Sequence, residues 1–246
     1  MQPQPEDWII PVWPAPAAVR ALITTRNGGS SVGPYASMNL GLRVEDDPAR
    51  VAQNRAMLRR FLPSEPKWLN QVHGADVVQG ESITRPVDAD ACVVTTPGCV
   101  SVVTMADCLP VLISDRRAHA VATCHAGWRG LVRGIIENTV QAFRSEPEHL
   151  LAFLGPAIGP SAFEVGNEVR DAFIAIDPAA KYAFQPHGQG KWLADLYKIA
   201  RQRLATLGVN EVYGGGWCTY SDPLRFFSHR RDKIAGRMAA LIWIAD

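Results

Sequence analysis

Between residues 90 and 125 the chain passes through four short apolar segments in quick succession: "DACVVTT", "CVSVVTMAD", "PVLISD" and "HAVATCH". They are rich in β-branched residues and are bounded by proline, glycine or charged residues. Runs this short, with this composition and these boundaries, are strands rather than helices. They leave no room for a clean βαβ alternation. With 47% hydrophobic residues in 246, the chain can bury a sizeable core around them.

The flanks supply the other elements. Residues 18–25 read as a strand, followed by a turn at Asn27-Gly28-Gly29-Ser30. The stretch Asp47 to Phe61 predicts a helix. Asp46 or Asp47 caps it, Pro48 fits its first turn, and Val51, Met57, Leu58 and Phe61 share a face. A helix is expected over 131–146, "LVRGIIENTVQAFRSE", and further helices near 166–176 and 194–207. "LLAFLGP", "EVYGGG" and "MAALIWI" read as strands. The fold class is α+β: one domain over residues 1–246, with a central mixed β core flanked by helices.

Charge and cysteine content narrow the function classes. The formal net charge is +1, which gives no general pull toward nucleic acid or membrane. The opening "MQPQPEDWIIPVWPAP" has no basic region, and prolines break its apolar stretches, so no signal peptide is expected. No run reaches the ~18 apolar residues of a membrane helix. The expectation is a cytoplasmic protein. Five cysteines, an odd number without CxxC, fit a reduced compartment and exclude finger or ribbon zinc sites.

Three short segments place a potential metal ligand in a turn beside a strand: "NQVHGADV" with His73, "MADCLPV" with Cys108 and "TCHAGWRG" with His125. Two imidazoles and a thiolate would make a three-ligand zinc site with one open position, the catalytic pattern. The same residues also read as structural, with His73 satisfying backbone groups in a turn and Cys108 acting as a small buried apolar residue. Copper fits less well. The chain has six histidines and no His-x-His pair, so a multicopper site is excluded. Met105 near Cys108 leaves room for a single adventitious copper.

Other residues are candidates of a second rank. Arg129, ahead of the helix expected at 131, and Arg26, beside Asn27-Gly28-Gly29, are placed to hold phosphate in a bidentate fork; either is equally an ordinary surface arginine. Asp107 adjoins Cys108 and either orients a ligand histidine or serves as acid or base. Glu164 in "AFEVG" is a weaker acid–base candidate. Trp128 stacks a base or fills the core, and His229 is a candidate for lining the site. Strand alternation turns Cys124 to the core if His125 faces the site.

Taken in order, "TTRNGGSS", "SMNLG", "WLNQVHGADV", "TMADCLPVL", "HAGWRG", "LGPAIGPSAFEVG" and "FSHRRDKIAGRMA" resemble the laccase-domain family of bacterial proteins. The match runs from about Ile10 to the C-terminus. Members of that family are described as polyphenol oxidases, as zinc-dependent purine nucleoside phosphorylases or as peptidoglycan editing factors. The resemblance implies a layered α/β sandwich related to cysteine-hydrolase-like toxins. It also implies metal ligation by His73, Cys108 and His125. Some relatives carry a cysteine pair where this chain has Ser161-Ala162, so those positions have no thiol chemistry here.

The function that the resemblance implies is phosphorolysis of a purine nucleoside (adenosine, inosine or methylthioadenosine) by a zinc enzyme, with adenosine deamination as a second activity. The zinc deaminase signature His-x-Glu with Pro-Cys-x-x-Cys is absent, so deamination here would be convergent. The expected partners are a nucleoside and phosphate, with no nucleic acid or membrane, and the chain is expected to act as a monomer. The alternative enzyme is a Cys108–His hydrolase acting on peptidoglycan precursors, with phenol oxidation as a copper-dependent side activity. The two readings meet at one atom, because a zinc-bound sulfur is not a free nucleophile. A non-enzymatic role with a structural metal is disfavoured by the open fourth position.

Overall fold

A computed structural model describes residues 7–245; residues 1–6 and 246, part of the expected 1–246 domain, lie outside it. In chain order the strands are β1 (Val19–Ile23), β2 (Val77–Gln79), β3 (Ala91–Val94), β4 (Ser101–Met105), β5 (Leu109–Asp115), β6 (Val121–Ala126), β7 (Leu150–Leu154), β8 (Glu164–Gly166), β9 (Phe184–Pro186), β10 (Lys191–Ala194), β11 (Glu211–Gly214) and β12 (Met238–Ile244). The helices are α1 (Pro48–Arg59), α2 (Trp128–Val132), α3 (Ile135–Gln141), α4 (Asn167–Ile176), α5 (Leu196–Thr206) and α6 (His229–Asp232).

The strands form three sheets. The main one is six-stranded and mixed, in the order β11-β7-β5-β6-β3-β2, with parallel pairs at its edges and antiparallel pairs at its centre. A second has the order β1-β12-β4 and is antiparallel throughout. The third, β8-β10-β9, is small. Every residue of β3, β5, β6 and β7 is buried, which requires cover on both sheet faces. One face, carrying Val111, Ile113, Ala122 and Cys124, packs under α2, α3 and α5. The other, carrying Cys92, Val94, Leu112 and Val121, packs on Val103, Met105 and Ile242 of the second sheet. The outer face of that second sheet is covered by Leu58 of α1 with Met38, Leu40 and Trp68. The result is a helix–sheet–sheet–helix sandwich, in line with the α+β expectation.

One expectation needs correction, and one point that the sequence left open is decided. The strands of the run 90–125 are divided between two sheets: β4 leaves β3, pairs with β12 in the second sheet, and the chain then returns to β5. The helix expected over 131–146 is two short helices, α2 and α3, starting three residues early at Trp128. Gly134 separates them at φ 86°, a left-handed conformation that ends one helix and that glycine adopts at little cost. The other helices fall close to their predicted spans. Asp47 caps α1 by accepting from the Ala49 amide at 2.9 Å, and Asp195 caps α5 by accepting from the Lys198 amide at 2.9 Å. Among the described residues no helix is long and apolar enough to cross a membrane.

The two large sheets are also joined by a buried hydroxyl relay. Ser101 of β4 donates to the Cys92 carbonyl of β3 at 2.7 Å, and the Thr123 hydroxyl of β6 lies 2.7 Å from the Ser101 oxygen. Both residues are fully buried. Ser101→Ala would strand the Thr123 hydroxyl between the sheets, a loss of about 1–3 kcal/mol. Urea unfolding is expected to show that loss with an unchanged m-value, and the double variant with Thr123→Val is expected to recover part of it. A single variant as stable as the parent would refute the relay.

Candidate metal centre

One end of the six-stranded sheet gathers the three candidate ligands. His125 is the penultimate residue of β6 and sits opposite Pro110 at the start of β5. Cys108 lies in the turn where the chain crosses from β4 in the second sheet to β5 in the first. His73 lies in the loop ahead of β2. His125 is thus within a strand, not in a turn as expected. Their ligand atoms all lie within 4.8 Å of one another. The two imidazole rings are 4.9 Å apart at 72°.

The residue that brings them together was not singled out from the sequence. Asp90, fully buried ahead of β3, accepts four hydrogen bonds. Three come from successive backbone amides, Val72 at 3.1 Å, His73 at 3.0 Å and Gly74 at 2.7 Å. The fourth comes from Nδ1 of His125 at 2.8 Å. Its own carbonyl accepts from the His125 amide at 2.7 Å. The amides wrap the carboxylate as a nest and hold His73 at φ 57°, a left-handed conformation unusual outside glycine. The bond to Nδ1 leaves Nε2 of His125 for the site. Burial would raise the Asp90 pKa, but the His125 hydrogen bond and the amides bring it below the ordinary range. A visible signal existed: a lone Asp leads an otherwise apolar, fully buried strand.

Around Cys108 the electrostatics favour a thiolate. Burial alone would raise its pKa, yet the nearby His125 charge and hydrogen bonds from His125 and His73 bring it down to about 6. Burial lowers the His125 pKa, while the Cys108 charge and the Asp90 hydrogen bond raise it, for a net rise to about 9. Cys92 and Cys124, buried without such partners, are each pushed up to about 12. Cys124 lies in the core under the helices, opposite in direction to its neighbour His125. Gly127 completes the cradle. It has ordinary extended backbone, but a Cβ there would sit 2.8 Å from Cys108 Sγ and 3.4 Å from the His73 ring. The glycine is required for space rather than for bending.

The remaining candidates fall elsewhere. The Asp107 carboxylate accepts from the Thr219 hydroxyl at 2.6 Å and from the Arg230 amide at 2.6 Å, so the histidine-orienting carboxylate is Asp90 and not Asp107. Asp107 stands at φ 91°, held there as its carbonyl accepts from the Ile158 amide at 2.9 Å. Glu164 is exposed, 3.6 Å from His187 Nε2. Arg26 uses Nε on the Ala36 carbonyl at 3.0 Å and Nη1 on the Pro223 carbonyl at 3.1 Å, and stacks on Phe227, contacts that tie loops together. Arg129 is exposed and lies over Trp128, which packs against the helical core. His229 is exposed on α6. The arginines found at the ligand loops are others: Arg133 donates to the His73 carbonyl at 3.0 Å and Arg43 to the Gln71 carbonyl at 3.4 Å.

Comparison with known proteins agrees with this architecture. Residues 20–245 match the family model described as multi-copper polyphenol oxidoreductase laccase. The chain is 50% identical over 240 residues to a purine nucleoside phosphorylase of Pseudomonas aeruginosa, covering 97% of this chain and 99% of that one. It is 53% identical over 240 residues to the purine nucleoside phosphorylase YfiH of Escherichia coli, covering 96% and 98%. A crystal structure of a Neisseria meningitidis protein superposes with a TM-score of 0.95 at 48% identity, covering 98% of this chain and all of that one. The structure of YlmD from Geobacillus stearothermophilus superposes with a TM-score of 0.90 at 31% identity, covering 97% and 96%.

Gly127→Ala is expected to fold but to bind metal far more weakly than the parent, because its methyl group occupies the approach to Cys108 Sγ. Competition against a chromophoric chelator reads this directly, and parental affinity would refute the cradle. In metal-free protein at pH 7, Cys108 should be alkylated well before Cys92 and Cys124, and added zinc should protect it. Equal labelling of the three thiols would contradict the electrostatic picture.

Proposed function

The chain belongs to the multi-copper polyphenol oxidoreductase laccase family, and from the geometry of its metal centre we propose that it is a zinc-dependent purine nucleoside phosphorylase. The carrying observation is the His73–Cys108–His125 cluster with Asp90 behind it, in a chain half identical to proteins named for that activity. The donor set supports a single ion. Among the described residues this is the one group of three or more His, Cys, Asp or Glu close enough to hold a metal. Separations within 4.8 Å suit one centre bonded at roughly 2.0–2.3 Å after small side-chain rotations. Zinc is favoured over blue copper because Met105, the available axial sulfur, is packed between the sheets and 1% exposed.

When bound, zinc supplies a Lewis acid with an open position for an oxygen of the substrate. In phosphorolysis a phosphate oxygen bonds to the anomeric carbon as the bond from that carbon to the purine nitrogen breaks. The bonding pair leaves with the base, which takes up a proton. This chain's residues orient that event. Asp90 fixes His125 in one tautomer and His73 in its turn. Of the two acid–base candidates, Asp107 is the one we retain, since it adjoins Cys108 while Glu164 faces His187. Arg129, two residues beyond the Gly127 cradle, is exposed and serves as an outer contact that attracts phosphate.

A second reading rests on a specific observation. Cys108, His125 and Asp90 lie in the order of a thiol, imidazole and carboxylate triad, as a hydrolase of peptidoglycan precursors would need. His73, a second imidazole on the same sulfur, favours metal ligation instead.

Protein purified without added metal is expected to carry near one zinc per chain and to release base from inosine or adenosine only with phosphate present. Cys108→Ala should lose both the zinc and the base release while its circular dichroism is retained. Equal rates with and without phosphate would sink the phosphorylase reading, and ammonia release from adenosine measured in parallel reports deamination separately. A metal-free parent with hydrolytic activity abolished by Cys108 alkylation would support the triad.

A further inference from the structure

The motif "SMNLG", 37–41, has no part in the metal cluster, yet the fold spends a buried asparagine on it. Asn39 is fully buried and accepts from the Arg237 amide at 2.8 Å and from the Gly41 amide at 2.9 Å. The Leu40 amide in turn donates to the Arg237 carbonyl at 3.0 Å. Gly41 leaves room for the arginine stem, since a Cβ there would lie 2.7 Å from Arg237 Cγ. The motif therefore clamps the backbone of Arg237 on both sides.

Strand register shows where that clamp points. Met238, at the start of β12, pairs with Met105, at the end of β4. Arg237 therefore stands beside the segment that runs through Asp107 into Cys108. Its guanidinium is half-buried and feels the charges of Cys108, Asp107 and Tyr35. Nη1 donates to the carbonyls of Ala235 at 2.7 Å and Gly236 at 3.0 Å. Among the described residues, Nε and Nη2 have no hydrogen-bond partner, no carboxylate forms an ion pair with Arg237, and the hydroxyl of buried Tyr35 is also without a partner. The nearby carboxylate, Asp107, is already engaged by Thr219 and Arg230.

We propose that Arg237 is the anion seat of the metal centre and binds the inorganic phosphate consumed in the reaction. A partly desolvated guanidinium is costly to leave unpaired, and a rigidly clamped one is suited to a bidentate oxyanion contact. The Cys108 thiolate is already paired with His125 and His73, so the positive charge remains available to an incoming anion. The contrast is with Arg26, whose donors tie loops together, and with Arg129, which is exposed. This assignment rests on the phosphorylase reading.

The test is steady-state kinetics of zinc-loaded Arg237→Lys and Arg237→Gln with phosphate and nucleoside varied separately. Lysine keeps the charge and most of the stem but loses the planar fork. The expected result is a phosphate KM raised roughly ten- to a hundredfold in both variants, with nucleoside KM and zinc per chain close to the parent's. Independently of turnover, phosphate should raise the melting temperature of the parent and not that of Arg237→Lys. An unchanged phosphate KM and an unchanged phosphate-dependent melting shift in the Arg237 variants would overturn the assignment alone. A parent that releases base without needing phosphate would overturn the phosphorylase reading, and this assignment with it.

Discussion

The metal centre depends on one buried carboxylate. Asp90 takes four hydrogen bonds from groups 16 to 35 residues away in sequence. An ionised carboxylate at this depth would be strongly destabilised without them. With them it becomes a hub. The three amides shape the loop that carries His73, and the imidazole bond sets which nitrogen of His125 faces Cys108. One side chain thereby determines the position of one ligand and the tautomer of another. Removing it would leave the strands intact and the ligands without a common reference.

The space for that centre comes from the sheet layout. Two sheets packed face to face leave little opening in their interior, and the side chains of β3, β5, β6 and β7 are buried throughout. Reactive groups must then sit at an end of the sandwich. The crossing from β4 to β5 puts Cys108 there, and the end of β6 puts His125 next to it. The turn at Asp107 is strained, and its strain is supported by contacts from three separate segments, at Ile158, Thr219 and Arg230. The same end receives Arg237 because β12 pairs with β4. The position of the cation relative to the thiolate thus follows from strand register.

Much of this could be read from the residues, and the rest was hidden for physical reasons. Strands announce themselves through short β-branched runs, and α1 through its capping aspartate. Alternation along "HAVATCH" turns Cys124 and His125 to opposite faces, as the structure has them. What stayed invisible was non-local. Nothing in "CVSVVTMAD" says that it pairs with the C-terminal strand rather than with its neighbours. Gly134 reads as one glycine in a helical pattern until its positive φ is known. Arg237 acts through partners distant in sequence and has no local signature, and the one local sign of Asp90 is its place at the head of an apolar run. Arg26 and Arg129 stand beside glycine-rich turns, which suggested anion binding, but donor commitment and exposure are properties of the folded chain alone.

The cluster can be described as a catalytic triad or as a metal site, and the distinction lies in His73. In a Cys–His–Asp arrangement one imidazole removes the thiol proton, and the carboxylate holds that imidazole. Cys108, His125 and Asp90 satisfy the description. A second imidazole against the same sulfur adds nothing to proton removal, and its hydrogen bond occupies a lone pair that a nucleophile needs. For a metal the same imidazole is the third donor. The carboxylate is in keeping with this, since it accepts from the backbone amide of His73 at 3.0 Å as well as from the ring of His125 at 2.8 Å. A triad requires its carboxylate to orient one histidine; this one orients two. Gly127, where a Cβ would lie 2.8 Å from Cys108 Sγ, borders the sulfur on another side. Two imidazoles and one thiolate, with a carboxylate behind them, are a donor set that could hold a cation.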